Sequence, residues 1–181
     1  VGVEQEGDAV RVTYRTGQRE TTIRARYAIV ATPAYVTHGI VRGLVRETAE
    51  ALTWLPYGPF YCAAILTDET GPMPWDGVYA LAVADRSFGM FFNHANVVRG
   101  PSGREKGGSL MVYAGGERAR RLFGLSDDEI LARFLADLTD LYPEAKGIVR
   151  EVVIQRWEKA VPYARPGRYA LEAIGSGPFR V

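Results

Sequence analysis

The side chains with the most chemical specificity lie in residues 155–168, QRWEKAVPYARPGR. An apolar run over 148–154 leads into this stretch as a half-buried strand. Pro162 and Pro166 fix φ and withhold two backbone donors, so the strand must end there. Trp157, Ala160 and Pro162 then set a large ring, a small residue and a rigid turn on one short piece of surface. A small side chain admits another molecule close to the backbone, and an aromatic ring offers flat area at little entropic cost. A packed tryptophan beside a proline-rich turn is the plain structural alternative.

Other chemistries find little support. His38 and His94 have no neighbouring His, Cys or carboxylate at metal-ligand spacing, so a zinc site is unsupported. His94, beside Asn93 and Asn96, falls at an expected strand end, where it is either a ligand contact or a hydrogen-bonded surface histidine. There is no Gly-x-Ser-x-Gly elbow and no three-glycine dinucleotide fingerprint. The single cysteine, Cys62, forms no internal disulfide and is expected as a buried, inert thiol within the apolar run 60–66. The loop 99–108 mixes Gly100, Gly103, Gly107 and Gly108 with Arg99, Arg104 and Lys106. It lacks the Walker spacing and a following helix cap, and reads as a solvated hairpin loop. Asp127 and Asp128 belong to a helix start, in which Ser126 and Glu129 form a capping box. The chain therefore carries no self-sufficient catalytic set.

The elements that must position these residues follow from pattern. Residues 1–6, 10–14 and 21–24 alternate as three short antiparallel strands, with Gly7 and Gly17 in the turns. Residues 27–33 form a continuous apolar run, expected as a strand buried on both faces, with Thr32 capping a helix that Pro33 opens. Helical segments are expected over 33–45 and 46–55, then strands over 60–67, 77–84, 88–93 and 109–114, and a short helix over 117–123. Ile130, Phe134 and Leu138 share one stripe of the capped helix, which Pro143 terminates. A final strand spans 148–157, and the tail 168–181 reads as a linker with a short helical possibility. Tyr57, Phe60, Tyr61, Tyr79, Phe88, Phe91, Phe92 and Tyr113 fall on the strands or their ends, and about a quarter of them are expected to face a ligand.

Composition bounds the class. The chain has 181 residues, enough for one substantial core. Its 22 basic and 21 acidic side chains give a net charge of +1, without the basic excess that nucleic-acid binding needs. No apolar run reaches the length of a membrane-spanning helix. The chain opens at Val1 without a methionine and already alternating, which leads us to expect a piece of a longer protein or a chain whose natural start is absent; a cytoplasmic location is expected.

Three segments resemble the flavin-containing amine oxidase superfamily, which includes monoamine oxidases, protoporphyrinogen oxidases and phytoene-desaturase-like enzymes. The first runs from Val10 through Gly17 to Ala31, Thr32 and Pro33, and is similar to the place where the family's chain gives the FAD domain a strand and leaves through an Ala-Thr-Pro turn. The second, 52–66, is similar to the re-entry into the substrate domain. The third, from Arg156 and Trp157 to Pro166, Gly167 and Arg168, is similar to a passage beside the flavin.

The resemblance implies an α+β fold with a mixed, mainly antiparallel sheet covered by helices on one face. It also implies three parts: strands and turn related to the FAD domain (1–33), a substrate-binding domain (34–168), and a tail or truncated return (169–181). It assigns Trp157, Ala160 and Pro162 as flavin-side contacts, with Ala31, Thr32 and Pro33 second. It implies no catalytic residue or metal ligand in this chain; Lys106, Lys146 and Lys159 are the only lysines, and none fits the family's lysine position.

The implied activity is oxidation of an amine, or desaturation of an apolar small molecule, by hydride transfer to FAD held by other segments of the parent protein. The implied partners are that substrate and those segments, with no nucleic acid and no transmembrane segment. A stand-alone small-molecule-binding or dimerisation domain is the competing reading.

Overall fold

A computed structural model describes residues 1–99, 106–163 and 166. Part of the loop 99–108, Ala164, Arg165, Gly167 and the tail 168–181 lie outside the described residues. The chain divides into two compact units, Val1–Pro56 with Pro162–Val181, and Tyr57–Val161.

The first unit holds an antiparallel meander of β1 (Gly2–Glu6), β2 (Ala9–Thr16) and β3 (Arg19–Ala25). Glu6 faces Ala9 and Thr16 faces Arg19, so each hairpin has a two-residue loop. Its first residue is a glycine with φ near +58°, which matches the twist of the flanking strands. After α1 (Ala34–Ile40), the Arg42 N–H donates to the Val3 carbonyl at 2.8 Å and returns the chain to β1. Helix α2 (Arg46–Trp54) buries Thr48 and Leu52.

Two expectations change here. Residues 27–32 form no strand, and Tyr27 and Ile29 are 85% and 95% exposed. A strand buried on both faces needs partners on each side, and no described strand pairs with this run. Thr32 also does not cap α1 as expected. The cap position is Pro33, and the Thr32 hydroxyl instead pairs with the Thr37 hydroxyl at 2.8 Å.

The second unit holds a five-stranded sheet in the order β5-β6-β7-β4-β8, where β4 is Tyr57–Thr67, β5 Ala80–Ala82, β6 Met90–Asn93, β7 Gly108–Gly115 and β8 Val149–Pro162. The pairs β5/β6, β6/β7 and β4/β7 are antiparallel. At the ends of β4 and β8, Tyr163 N donates to Pro56 O at 2.9 Å and Asp68 N to Ile148 O at 2.8 Å, so this pair is antiparallel as well. On one face, Ala63, Ile65, Phe91, Leu110 and Val112 pack with Ala119 and Leu122 of α4 (Gly116–Leu122) and with Ile130, Phe134 and Leu138 of α5 (Asp127–Leu141). The fold is the expected α+β arrangement.

Helix α5 starts as its sequence dictates. Ser126 Oγ accepts from the Glu129 N–H at 3.2 Å, and the Glu129 carboxylate accepts from the Ser126 N–H at 2.8 Å. These bonds hold the Glu129 carboxyl below the usual range. β8 runs to Pro162, beyond the expected end at residue 157. A helix that pattern alone does not reveal, α3 (His94–Arg99), follows β6. Asn93 Oδ1 accepts from the Asn96 N–H at 3.2 Å and so opens it.

Candidate functional site: an uncovered aromatic face

Successive side chains of a strand point to opposite faces, so the buried set described above fixes what the other face carries. Cys62 stands opposite Tyr113, and Tyr113 opposite Met90. The next row is Ala64, Met111 and Phe92. All six are half-buried, and the core helices α4 and α5 pack on the opposite face of the sheet. Aromatic rings link the strands: Trp157 to Phe60 at 6.4 Å between centroids, Phe60 to Tyr113 at 5.3 Å, Tyr113 to Phe92 at 4.7 Å, and Phe92 to Tyr79 at 6.0 Å. Gly115, opposite Phe60, gives that ring its seat, since a Cβ there would lie 3.1 Å from Phe60 Cδ2. Of the eight strand aromatics, Phe60, Tyr79, Phe92 and Tyr113 join this face. Half of the eight thus lie away from the core.

The face carries little charge. Burial pushes the Tyr113 hydroxyl up, and Cys62 and Tyr79 add to the shift. Burial also pushes the Cys62 thiol up, against a smaller opposing effect of the Gln155 backbone. Both groups are therefore neutral at pH 7. The Tyr113 hydroxyl makes no hydrogen bond to a described residue. Cys62 corrects an expectation: it is half-exposed on this face rather than buried, because its place in β4 is opposite in phase to Tyr61 and Ala63.

The residues singled out for a flat ring partner are placed as follows. Trp157 is 44% exposed and continuous with the aromatic face through Phe60. Ala160 and Pro162 are half-buried, and strand alternation sets them on the other side of β8 from Trp157. Ala31, Thr32 and Pro33 are exposed and belong to the first unit. His94 lies at the rim, its ring centroid 6.0 Å from that of Phe92. Trp157 leaves part of its ring exposed, and nothing among the described residues forms the glycine-rich turn that receives a pyrophosphate. Among the described residues, no group of three His, Cys, Asp or Glu side chains is placed to hold a metal ion.

Sequence reasoning missed a buried polar cluster at the edge of the helix-covered face. Glu69 is 1% exposed and accepts from Thr67 Oγ1 and Trp75 Nε1, each at 2.9 Å. It also pairs with Arg99 at 2.9 Å. Arg99 in turn donates to the Gly107 carbonyl and lies 3.6 Å from Asp76. A Cβ on Gly108 would overlap the Glu69 carboxylate and the Thr67 hydroxyl, so this position accepts only glycine. The cluster ties α3 to the start of β7. Its one sequence signal was the adjacent pair Gly107 and Gly108.

Solved structures share this fold at low identity. Cyclohexylamine oxidase from Brevibacterium oxydans IH-35A matches with a TM-score of 0.72 and 20% identity over 98% of this chain and 39% of that one. Reduced UDP-galactopyranose mutase matches with a TM-score of 0.68 and 14% identity over 96% of this chain and 36% of that one. Putrescine oxidase bound to putrescine matches with a TM-score of 0.62 and 18% identity over 86% and 32%. The chain thus spans less than two fifths of each of these proteins. No curated protein matches. The family described as flavin containing amine oxidoreductase matches residues 1–180, and the chain belongs to that family.

Proposed function

We propose that this chain is the substrate-binding part of an FAD-dependent oxidoreductase of the amine oxidase type, which oxidises an amine or desaturates an apolar small molecule. The observation that carries this reading is the continuous aromatic face on the side of the sheet away from α4 and α5. Apolar area on that scale marks a surface that another molecule covers. Bound FAD supplies the acceptor for a hydride equivalent. The chain's own residues bind and orient the substrate and keep water from its apolar body. Trp157 offers its exposed ring to the flavin side. Ala160 and Pro162, and separately Ala31, Thr32 and Pro33, allow close approach to the backbone.

The phosphates and adenosine of FAD fall to segments of a longer cytoplasmic parent, so the 181-residue chain alone neither retains the cofactor nor turns over. The test compares the chain with a polypeptide extended at both ends to include a glycine-rich dinucleotide turn. The chain alone is expected to be colourless and the extended protein to absorb near 450 nm. An extended protein that folds without flavin would leave a small-molecule-binding or dimerisation module, and the oxidoreductase reading would be lost.

A further inference from the structure

The five-stranded sheet ends in two unlike edges. β5, at one edge, has 3 residues, and β8, at the other, has 14. β4 pairs with one side of β8, and no described strand pairs with its other side. A long edge of this kind offers a row of N–H and C=O groups to any extended chain. Exposure alternates regularly from Val152 to Trp157, so the strand is straight and pleated there. No proline interrupts it before Pro162. Only its charged side chains, Arg150, Glu151, Glu158 and Lys159 foremost, stand against pairing.

The order of those charges decides which pairing survives. A second copy meeting this edge about a two-fold axis runs antiparallel, and each residue faces the one equally far beyond the centre. The axis stands normal to the sheet, so like faces stay together and the centre falls on a residue. Centres at Val153, Arg156 and Glu158 oppose like charges: Arg150 to Arg156, Arg156 to itself and Glu158 to itself. Centres at Gln155 and Trp157 draw on Lys159 and Arg156, and both already interact within their own chain. Arg156 is held by Asp127 and by the Leu125 carbonyl at 2.8 Å. The centre at Ile154 instead sets Arg150 against Glu158 twice, and Ile154 against itself. Arg150 and Glu158 are exposed, with no hydrogen bond or ion pair to a described residue.

We propose that β8 is a dimerisation edge, to which a second copy of this chain adds its own β8 antiparallel about a two-fold axis at Ile154. Arg150 of each copy lies against Glu158 of the other. The sheets join into one, and the short β5 edge is a poor template for a further copy, so assembly closes at two. Both aromatic faces stay on the same side of the joined sheet and remain open. The pairing needs no flavin and stands apart from the substrate-binding reading.

Sedimentation equilibrium of the 181-residue chain tests it over about 1–100 µM, where small interfaces dissociate. A monomer–dimer equilibrium without larger species is expected. Arg150→Glu and Glu158→Arg should each raise the dissociation constant about ten-fold, because each sets like charges opposite one another twice. The double exchange should return it to within about three-fold of the parent. Glu151→Arg should also stay within about three-fold, since this register sets position 151 opposite Trp157, whereas the Gln155-centred one sets it opposite Lys159.

Amide exchange on the unaltered chain gives a reading that no substitution can spoil. Amides of residues 152–158 should exchange about five-fold more slowly at the highest concentration than at the lowest. A monomer at every concentration overturns the proposal and leaves the edge to another strand. A dimer indifferent to Arg150→Glu, a double exchange as weak as the single ones, or protection gained only outside β8 overturns it too.

Discussion

Phe91, Val112 and Ala63 lie sealed under helices on one side of the five-stranded sheet, whereas Phe92, Met111 and Ala64, one residue along on the same strands, stand half-exposed on the other. Both sets are apolar, yet only the first is sealed inside the unit. In antiparallel sheets with one solvated face, that face is normally polar. An apolar second face therefore signals a surface kept for something other than folding.

Paired substitutions test that contrast most sharply. Phe91→Ala should cost about 3–5 kcal/mol, the range for emptying a buried aromatic site. Phe92→Ala should cost less than about 1 kcal/mol, since the ring is only half-removed from water. Urea midpoints of the two variants measure the difference. Equal losses would mean that the second face is a core in its own right.

The polar cluster at the edge of the covered side comes next in size. Glu69→Ala removes the nearer carboxylate from the mostly buried Arg99 guanidinium, leaving Asp76 at 3.6 Å, and should cost about 3 kcal/mol. Gly108→Ala forces the same carboxylate aside and should cost about 1–3 kcal/mol, read from thermal unfolding. If both variants were as stable as the parent, the cluster would be an ornament of the surface and not part of the frame.

What the sequence made legible follows the same division. Local chemistry was plain: the capping box of Ser126 and Glu129, the glycines of the two hairpins, and the apolar stripe of Ile130, Phe134 and Leu138 all act over a few residues. Alternation likewise located β4 and β7. It could not tell which of two apolar faces the helices would cover, because Cys62 and Ala63 read alike until α4 and α5 choose a side. The exposed run around Ile29 failed for a related reason: a run of apolar residues announces burial but does not name its partner. α3 was missed because Asn93 ends one element and opens the next. Trp157 was singled out through its neighbours in sequence, although alternation sets Ala160 and Pro162 on the other side of the strand. Tyr113 was one aromatic among eight until strand register put it beside Cys62.

Two smaller effects sharpen the comparison. Ser126→Ala removes the cap of α5, on the covered side, and should cost about 1 kcal/mol by urea unfolding. Titration then separates the sides by sign. The raised Cys62 and Tyr113 groups contribute stability that is complete below their ordinary pKa values and lost as pH climbs through the raised ones. The lowered Glu129 carboxyl contributes stability that is present above its ordinary pKa and lost as pH falls through the depressed one. Urea midpoints against pH should lose part of their alkaline limb in Tyr113→Phe and part of their acid limb in Glu129→Gln. A change on the opposite limb in either variant would break the assignment.

The hydrogen bond from Tyr163 to Pro56 gives the second unit a single doorway, through which the chain goes in on β4 and comes out on β8. A segment whose two ends are neighbours can be spliced into a host polypeptide at one point of its surface, with little strain on either. Such a segment can be lengthened, trimmed or replaced without re-threading the polypeptide on either side of it.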